Sequence, residues 1–510
     1  MNSSPRHIHL SGICGTAMAS IAGLLRARGH RVTGSDAAAY PPMSDLLAAL
    51  GIPVAQPYAA ANLNPRPDLV IIGNALSRGN PEVERILDER IPFTSMAAIL
   101  REEFLAPSGR PARNSLVVAG THGKTTTTSM LAWIFQTAAA LDRAENSAFE
   151  PSFLIGGVAE NFGTSFQLRP TLPFILEGDE YDTAFFDKGP KFLHYFPDSL
   201  ILTSVEFDHA DIYADLAQVQ TAFRRLVNLV PQRGVILAWD GSPNVTACVA
   251  RAFCPVERYG FAPDSLWRIA DLHFAEGHSR WRVLLDGQPW AELALPVAGE
   301  HNALNATAAA ALAFRNGVPV AAIQSALSSF RSVRRRLEVR DRVAGITLID
   351  DFAHHPTAIR ETLRALRQMF PSADGHAARL WAILEPRSNT LRRNVFEQEL
   401  GESLALADRI LLASIYQQER IPESERLHPD RVIATLNQRG ISAELCASTD
   451  QIISTLVREA APGDVLAILS NGGFDGIYQK LPAALRAAHP EAAANASSRP
   501  ILASMQEPAS

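Results

Sequence analysis

At 510 residues, with 47% hydrophobic and 20% charged positions, the chain is long enough for about three domains with full apolar cores. Its net charge of −6 leaves no electrostatic footprint for nucleic acid or an anionic membrane. No apolar run reaches the ~18 residues of a membrane span, and MNSSPRHIHL lacks a signal-peptide pattern. Cys14, Cys248, Cys254 and Cys446 show neither paired metal-ligand spacing nor a disulfide framework, so a reducing, cytoplasmic setting is expected.

Residues 8–10 read as a strand, SGICGTAM leads into an amphipathic helix over 17–28, and a strand at 31–33 ends in Gly34-Ser35-Asp36. This is a βαβ start with glycines at Gly12 and Gly15. Cys14 takes the place of the second fingerprint glycine, which lets a backbone approach a pyrophosphate, so a plain NAD site is disfavoured. LVIIGNALSRGNPEV, at 69–83, repeats the strand–helix pattern. Asn74 and Ser77 fall at that strand's carboxyl end, where open α/β sheets bind ligands; helix capping is the other account of them. A hinge of composition PSGRPAR, at 107–113, then divides the chain.

Beyond it, 116–119 is a short apolar strand, Gly120-Thr121-His122-Gly123 a tight loop, and Lys124-Thr125-Thr126 the start of a helical pattern. Strand, glycine loop, then lysine and threonine at a helix start is an arrangement that cradles phosphate. Loop N–H groups and the helix N-terminus favour negative charge, Lys124 neutralises phosphate oxygens, and Thr125 offers a hydroxyl to Mg²⁺. Val118 stands where the general pattern has its first glycine, so a plain glycine turn with an exposed lysine is the alternative. A strand at 173–176 ends in EGDEYD, with Glu177, Asp179, Glu180 and Asp182, and one at 199–205 ends in SVEFDHADIY, with Asp208, His209 and Asp211. In a parallel sheet these ends share an edge with the phosphate loop, and their hard carboxylate oxygens suit Mg²⁺; solvated loops are the bland reading.

From 267 to 297 alternating residues with turn glycines predict antiparallel strands, and GEHNALNATAAAALAF predicts a packed helix. Asn302 and Asn305 share a face at its start, where capping and recognition of a base edge are both open. Arg334-Arg335-Arg336 is either a solvated run or a source of charge for a transferring phosphoryl group. Strands at 345–349, 379–384 and 464–469 end in DDFAHHP, EPRSNT and SNGGF respectively. These polar segments again fall at strand carboxyl ends. After about residue 486 the composition of Ala, Ser, Pro and Glu predicts a disordered tail.

The ordered set GTHGKTTT, EGDEYD, EFDHADIY, GEHNALN, RRRLE and DDFAHHPT resembles the Mur ligase family, the ATP-dependent ligases that build the peptide of peptidoglycan. The resemblance spans nearly the whole chain. It implies an α/β fold of three domains. These are a Rossmann-like UDP-binding domain at 1–110, a central P-loop ATPase-type domain at 111–332 and a Rossmann-like peptide-binding domain at 333–487, with 488–510 as the tail. The central domain is expected to combine a parallel sheet with a small antiparallel one.

HLSGICGTAM, GSDAAAYPPMSDLL, DKGPKFLHY, LEPRSNT and SNGGFDGI look most like the members that join UDP-N-acetylmuramate to the tripeptide L-Ala-γ-D-Glu-meso-diaminopimelate in murein recycling. The L-alanine ligases of the family are the runner-up, and a nucleotide-sugar-binding regulator is the alternative from another class. By resemblance, Gly120 to Thr126 with Asn302, Arg336 and Asp351 hold ATP, and Thr125, Glu177 and His209 hold Mg²⁺. Lys124, His209, Glu177 and Arg336 carry the chemistry. Gly12, Ile13, Ser35, Asp36, Asn74 and Ser77 take the UDP-sugar, and Arg387, Ser388, Asn389, Ser470 and Asn471 the peptide. Ser204 departs from the family's usual asparagine and Gly178 from its alanine; 218–230 lacks the lysine that some members carbamylate.

Overall fold

The computed structural model describes residues 4–39, 43–107, 112–142, 147–275, 277–371 and 379–490. Residues 40–42 of the quoted GSDAAAYPPMSDLL segment, 108–111 of the expected hinge and 491–510 of the expected tail lie outside the described residues. Three large sheets account for most of the strands. The chain divides into two compact units, one reaching to Arg334 and one from Arg335 onward, with 274–277 counted in the latter. Among the described residues, no helix is long and apolar enough to cross a membrane.

The first sheet is parallel, in the order Val54–Ala55, Arg31–Ser35, His7–Ser11, Leu69–Ile72, Phe93–Ser95. Its central strands carry Ile8, Leu10, Val70, Ile71 and Ile72, all fully buried, as expected of strands covered on both faces. The order reverses between His7–Ser11 and Leu69–Ile72. At that switch Gly12, at φ +86°, faces Gly73 across the carboxyl edge, so a crevice opens where such sheets take ligands.

The second sheet has ten strands. Asn114–Ala119 lies between Ser199–Leu202 and Pro173–Gly178, parallel to both, and Ala119 is in register with Leu202 and Gly178. Three strand ends therefore converge on one edge. The antiparallel strands Trp267–Ala275, His278–Leu285 and Gln288–Leu295 extend this same sheet through the parallel pairing of Tyr259 with Trp267. A separate two-stranded antiparallel ribbon pairs Asp182–Ala184 with Asp187–Pro190. The alanine-rich helix Glu300–Arg315 packs on Lys124–Asp142, its buried alanines letting the two backbones approach.

The first two sheets belong to one unit. Ser20 and Ser165 share a hydrogen bond of 2.7 Å, and a Cβ on Gly23 would lie 2.1 Å from the Phe166 ring. The strand expected over 199–205 stops at Leu202 because Thr203 and Ser204 turn their groups toward the phosphate loop.

The second unit holds a six-stranded sheet in the order Glu338–Val343, Ile346–Asp351, Val465–Leu469, Leu380–Leu384, Arg409–Ala413, Ser442–Cys446. Only the first edge strand is antiparallel. Leu469 is in register with both Asp351 and Leu384, which puts DDFAHHP, SNGGF and EPRSNT side by side. Pro356 opens the helix Pro356–Met369, its missing N–H costing nothing at that position, and His355 caps it by accepting from the Thr357 amide at 3.3 Å.

Candidate functional site

The loop between Ala119 and Lys124 is shaped by two glycines that no other residue replaces. Gly120 has φ +138° and Gly123 φ +79°; a Cβ on the first would sit 2.1 Å from Thr203 Oγ1, and on the second 2.6 Å from Asn305 Oδ1. The neighbouring strand end laces the loop shut. Ser204 accepts from the Thr121 amide at its carbonyl (3.0 Å) and from the His122 amide at its hydroxyl (2.9 Å), while Thr203 Oγ1 donates to the His122 carbonyl at 2.6 Å. Ser204, a departure from the family pattern, is thus a brace of the loop. Thr126 is buried on the helix behind it.

Lys124 Nζ donates to Glu180 at 2.8 Å and to the Gly120 carbonyl at 2.7 Å. Burial opposes the lysine's charge, but the Glu180 and Asp179 carboxylates outweigh it and hold the pKa above the ordinary lysine value. Glu180, 2% exposed, also faces His209, whose Nε2 is 3.2 Å from Oε1. Burial disfavours charge on both; Lys124 and His209 together keep Glu180 below the usual carboxylate range, and the Glu180 hydrogen bond pushes His209 up to about 9. A protonated imidazole has no free lone pair, so His209 would join a metal site only in its neutral form. Thr125 Oγ1 donates to Glu177 Oε1 at 2.9 Å, and the Gly156 amide fixes the other carboxylate oxygen at 2.7 Å. A hydroxyl and an oriented carboxylate side by side are hard oxygen donors that fit Mg²⁺.

Next to Glu177 lies a cavity of 320 Å³ whose wall includes Gly15, Thr16, Asn74, Glu177, Asp179 and Lys191. Asn74 is thus brought to the central sheet's acids, whereas Ser77 is exposed, its hydroxyl 3.5 Å from the Arg78 carbonyl. Gly12 and Ile13 both donate their amides to the Ser35 carbonyl, at 2.8 and 3.1 Å. The Ser35 hydroxyl is committed to Glu82 at 2.6 Å, and Asp36 accepts the Cys14 amide at 2.8 Å. Glu82 went unnoticed in sequence. It is fully buried and takes hydrogen bonds from Ser11, Ser35 and Asn62, with His9 Nε2 at 3.6 Å. Burial works against its charge, but those donors bring its pKa down to about 2. The available signal was its position after the Asn80 cap of the helix Pro81–Asp88, on the face that turns inward.

Asn302 Nδ2 donates to the Ala298 carbonyl at 2.8 Å, so its side chain ties the helix start; Asn305, not Asn302, abuts the phosphate loop. In the second unit, Asp351 braces the backbone, accepting from the Leu337 and Ala353 amides at 2.8 Å each. The Arg336 guanidinium lies 5.0 Å from the Phe352 ring centre. Arg387 stacks 3.8 Å over Tyr416 with Nη1 3.4 Å from Glu385, and a Cβ on Gly472 would meet its Nε at 2.1 Å. Ser470 donates its hydroxyl to Glu385, and Ser388 accepts the Leu391 amide at 3.0 Å. Asn389 accepts from Arg392, and Asn471 Oδ1 is buried with no hydrogen-bond partner among the described residues. Arg335, unassigned from sequence beyond its charge run, donates to the Ser470 and Gly472 carbonyls at 2.7 and 2.9 Å and so ties this loop to its own sheet.

Comparison with known proteins agrees along the chain. Residues 7–106 match the model described as Mur ligase family, catalytic domain; 118–313 match the Mur ligase middle domain and 335–472 the Mur ligase, glutamate ligase domain. The chain is 43% identical over 474 residues to the UDP-N-acetylmuramate–L-alanyl-γ-D-glutamyl-meso-2,6-diaminoheptandioate ligase of Escherichia coli (strain K12), covering 93% of this chain and 97% of that one. It is 30% identical to the UDP-N-acetylmuramate–L-alanine ligase of Desulfitobacterium hafniense (strain Y51), over 94% and 99% of the two chains. The solved structure of a murein peptide ligase from Psychrobacter arcticus 273-4 superposes with a TM-score of 0.70 at 37% identity, covering 94% of this chain and 98% of that one.

The Glu82 network makes a prediction about pH. A carboxyl whose folded pKa is depressed contributes stability in full above its ordinary value of 4.5 and loses it as pH falls through about 2. Glu82→Gln should lose on the order of 3 kcal/mol at neutral pH. In urea melts at pH 7, 5, 4 and 3, its deficit against wild type should narrow below pH 4; a constant deficit would show that the Glu82 charge is not the stabilising element.

Proposed function

The chain belongs to the Mur ligase family, and we propose that it joins the lactyl carboxylate of UDP-N-acetylmuramate to the free amine of L-Ala-γ-D-Glu-meso-diaminopimelate at the expense of ATP. The observation that carries this choice within the family is the 43% identity to a tripeptide-adding ligase against 28–34% to L-alanine ligases of similar coverage. The domain limits we adopt are 1–110, 111–332 and 333–487. The substrates place the enzyme in the cytoplasm, in keeping with four buried, unpaired cysteines.

A carboxylate is a poor electrophile, so the amide bond requires an activated acyl group. A lactyl carboxylate oxygen attacks the γ-phosphorus of ATP, the bond from that phosphorus to the β-bridging oxygen breaks, and ADP leaves. The amine nitrogen of the tripeptide then attacks the acyl carbon. The tetrahedral intermediate expels phosphate, and the nitrogen gives up a proton. Lys124 and the N-terminus of its helix hold the β- and γ-phosphates, the Thr121 and His122 amides being committed to Ser204, and Lys124 exchanges part of its Glu180 contact for phosphate oxygens. Thr125 and Glu177 would hold Mg²⁺, which supplies charge neutralisation between triphosphate and carboxylate. His209 keeps Glu180 oriented through its 3.2 Å contact, and in its neutral form it would be a further ligand for the ion. In the peptide domain, Arg387 grips a carboxylate, its plane set by Tyr416 and its reach by Glu385 and Gly472.

With ATP, Mg²⁺ and UDP-N-acetylmuramate, mass spectrometry should find the tripeptide adduct when tripeptide and L-alanine compete. Predominance of the alanyl product would move the chain to the other branch. Glu177→Gln should raise the Mg²⁺ needed for half-maximal rate and lower kcat; an unchanged titration would remove Glu177 from the metal site. Arg387→Lys should cost about ten- to a hundredfold in kcat/KM for the tripeptide, with the constants for ATP and UDP-N-acetylmuramate little changed. Loss of ATP affinity instead would take Arg387 out of the peptide site.

A further inference from the structure

The segment DTAFFDKGPKFLHY, residues 182–195, has no part in holding phosphate or metal, yet it is fixed at both ends. At the tip of its two-stranded ribbon, Phe185 packs on the apolar cluster of Val70, Ile72 and Leu76 in the first sheet, and Phe186 meets Phe93 edge-on with ring centres 5.0 Å apart. At its base the amides of Lys191 and Phe192 donate to the Tyr181 and Asp179 carbonyls at 3.1 and 3.2 Å, and the Phe192 ring is fully buried. Lys191, 9% exposed, extends from this base into the cavity of 320 Å³, its Nζ 2.6 Å from Asp179 Oδ2 and 5.6 Å from the Tyr181 ring centre.

That cavity has one wall from the first sheet's glycine turn, Gly15 and Thr16, and another from the central sheet at Glu177. Glu177 and Asp179 make it acidic, and Lys191 is the one cation among the described residues that line it. An anionic group that enters toward Thr125 and Glu177 meets two carboxylates, and Lys191 is the cation that faces it from the cavity wall. An ammonium has three N–H donors, of which Asp179 takes one. Because the side chain is ordered by folding, little rotamer entropy remains to be lost when a ligand binds.

We propose that Lys191 recognises the carboxylate of the nucleotide-sugar substrate and steers it toward the phosphate loop. The proposal rests on the ligase reading, since it is that reaction which brings a sugar-borne carboxylate to this cavity. UDP-N-acetylglucosamine, the same nucleotide sugar without the lactyl acid, is the control ligand.

Calorimetry with a non-hydrolysable ATP analogue and Mg²⁺ should show wild type preferring UDP-N-acetylmuramate over that control by about ten- to a hundredfold. In Lys191→Met, or in Lys191→Gln should the methionine variant not fold, the preference should collapse while affinity for the control stays the same. Lys191→Arg, which keeps the charge beside Asp179, should keep most of it. A preference that survives the neutral variants, an equal loss for both ligands, or an arginine variant as impaired as the neutral ones would each overturn the assignment. A wild type that forms the tripeptide product without any preference overturns it as well. A wild type that forms no product overturns the ligase reading instead.

Discussion

Beneath the phosphate loop the buried Glu180 carboxylate meets two half-buried bases, Lys124 at 2.8 Å and His209 at 3.2 Å. Taking such charges out of water is costly, and it is Glu180 that offsets the cost for both Lys124 and His209, which repel each other. A lysine buried without an acid would shed its proton, and a neutral amine holds no phosphate. Glu180 is therefore a condition for Lys124 to act, and the Tyr213 hydroxyl, donating to the Glu180 carbonyl at 2.6 Å, helps to keep it in place. The fold supplies this through register. Because Ala119 pairs with both Leu202 and Gly178, the loop, the acids and the histidine arrive at one edge without any long side chain having to search for its partner.

That convergence was legible in the sequence, since apolar runs ending in glycine or acid mark strand ends and a parallel sheet gathers them. Which acid turns where was not. EGDEYD offers four carboxylates within six residues. Only the loop geometry sends Glu177 to Thr125, Glu180 to Lys124 and Asp179 to Lys191, each through contacts with residues distant in the chain. Asn302 and Asn305 share a helical face, but the one that ties its own helix and the one that abuts Gly123 differ by a rotation that periodicity does not resolve. Ser35 and Asp351 sit at strand ends as ligand-binding residues do, yet the Ser35 hydroxyl is engaged by the Glu82 carboxylate and the Asp351 carboxylate by backbone amides. Glu82 was invisible for the opposite reason. An acid in the first turn of a helix is ordinary at the surface, and only the packing of that helix shows the carboxylate pointing inward to four polar partners.

Bracing of backbone by side chain recurs through both units. Ser204 and Thr203 hold the phosphate loop, Asp36 holds the Cys14 amide, Asp351 holds Leu337 and Ala353, and Arg335 holds the carbonyls of Ser470 and Gly472. Loops at strand ends have few backbone partners of their own, and a buried amide or carbonyl left unpaired costs about 1–3 kcal/mol. Polar residues clustered at these ends thus do two jobs, and a motif search that counts them all as ligand contacts overstates the site.

The chemistry itself explains the pairing of cations. Joining an acid to a peptide with ATP requires a triphosphate, a sugar carboxylate and peptide carboxylates to approach one another, and each is an anion. In this chain three of the cations assigned to such anions already touch an acid of their own unit: Lys124 with Glu180 at 2.8 Å, Lys191 with Asp179 at 2.6 Å, Arg387 with Glu385 at 3.4 Å. The resident acid aims the cation, and an arriving anion competes with an existing contact instead of meeting a bare charge. Binding is weaker for that competition, but more selective, because only a ligand with further contacts in the same place outweighs the resident acid. A site built from unopposed lysines and arginines would hold any phosphate or carboxylate in the cell; one built from opposed pairs answers to shape as well as charge.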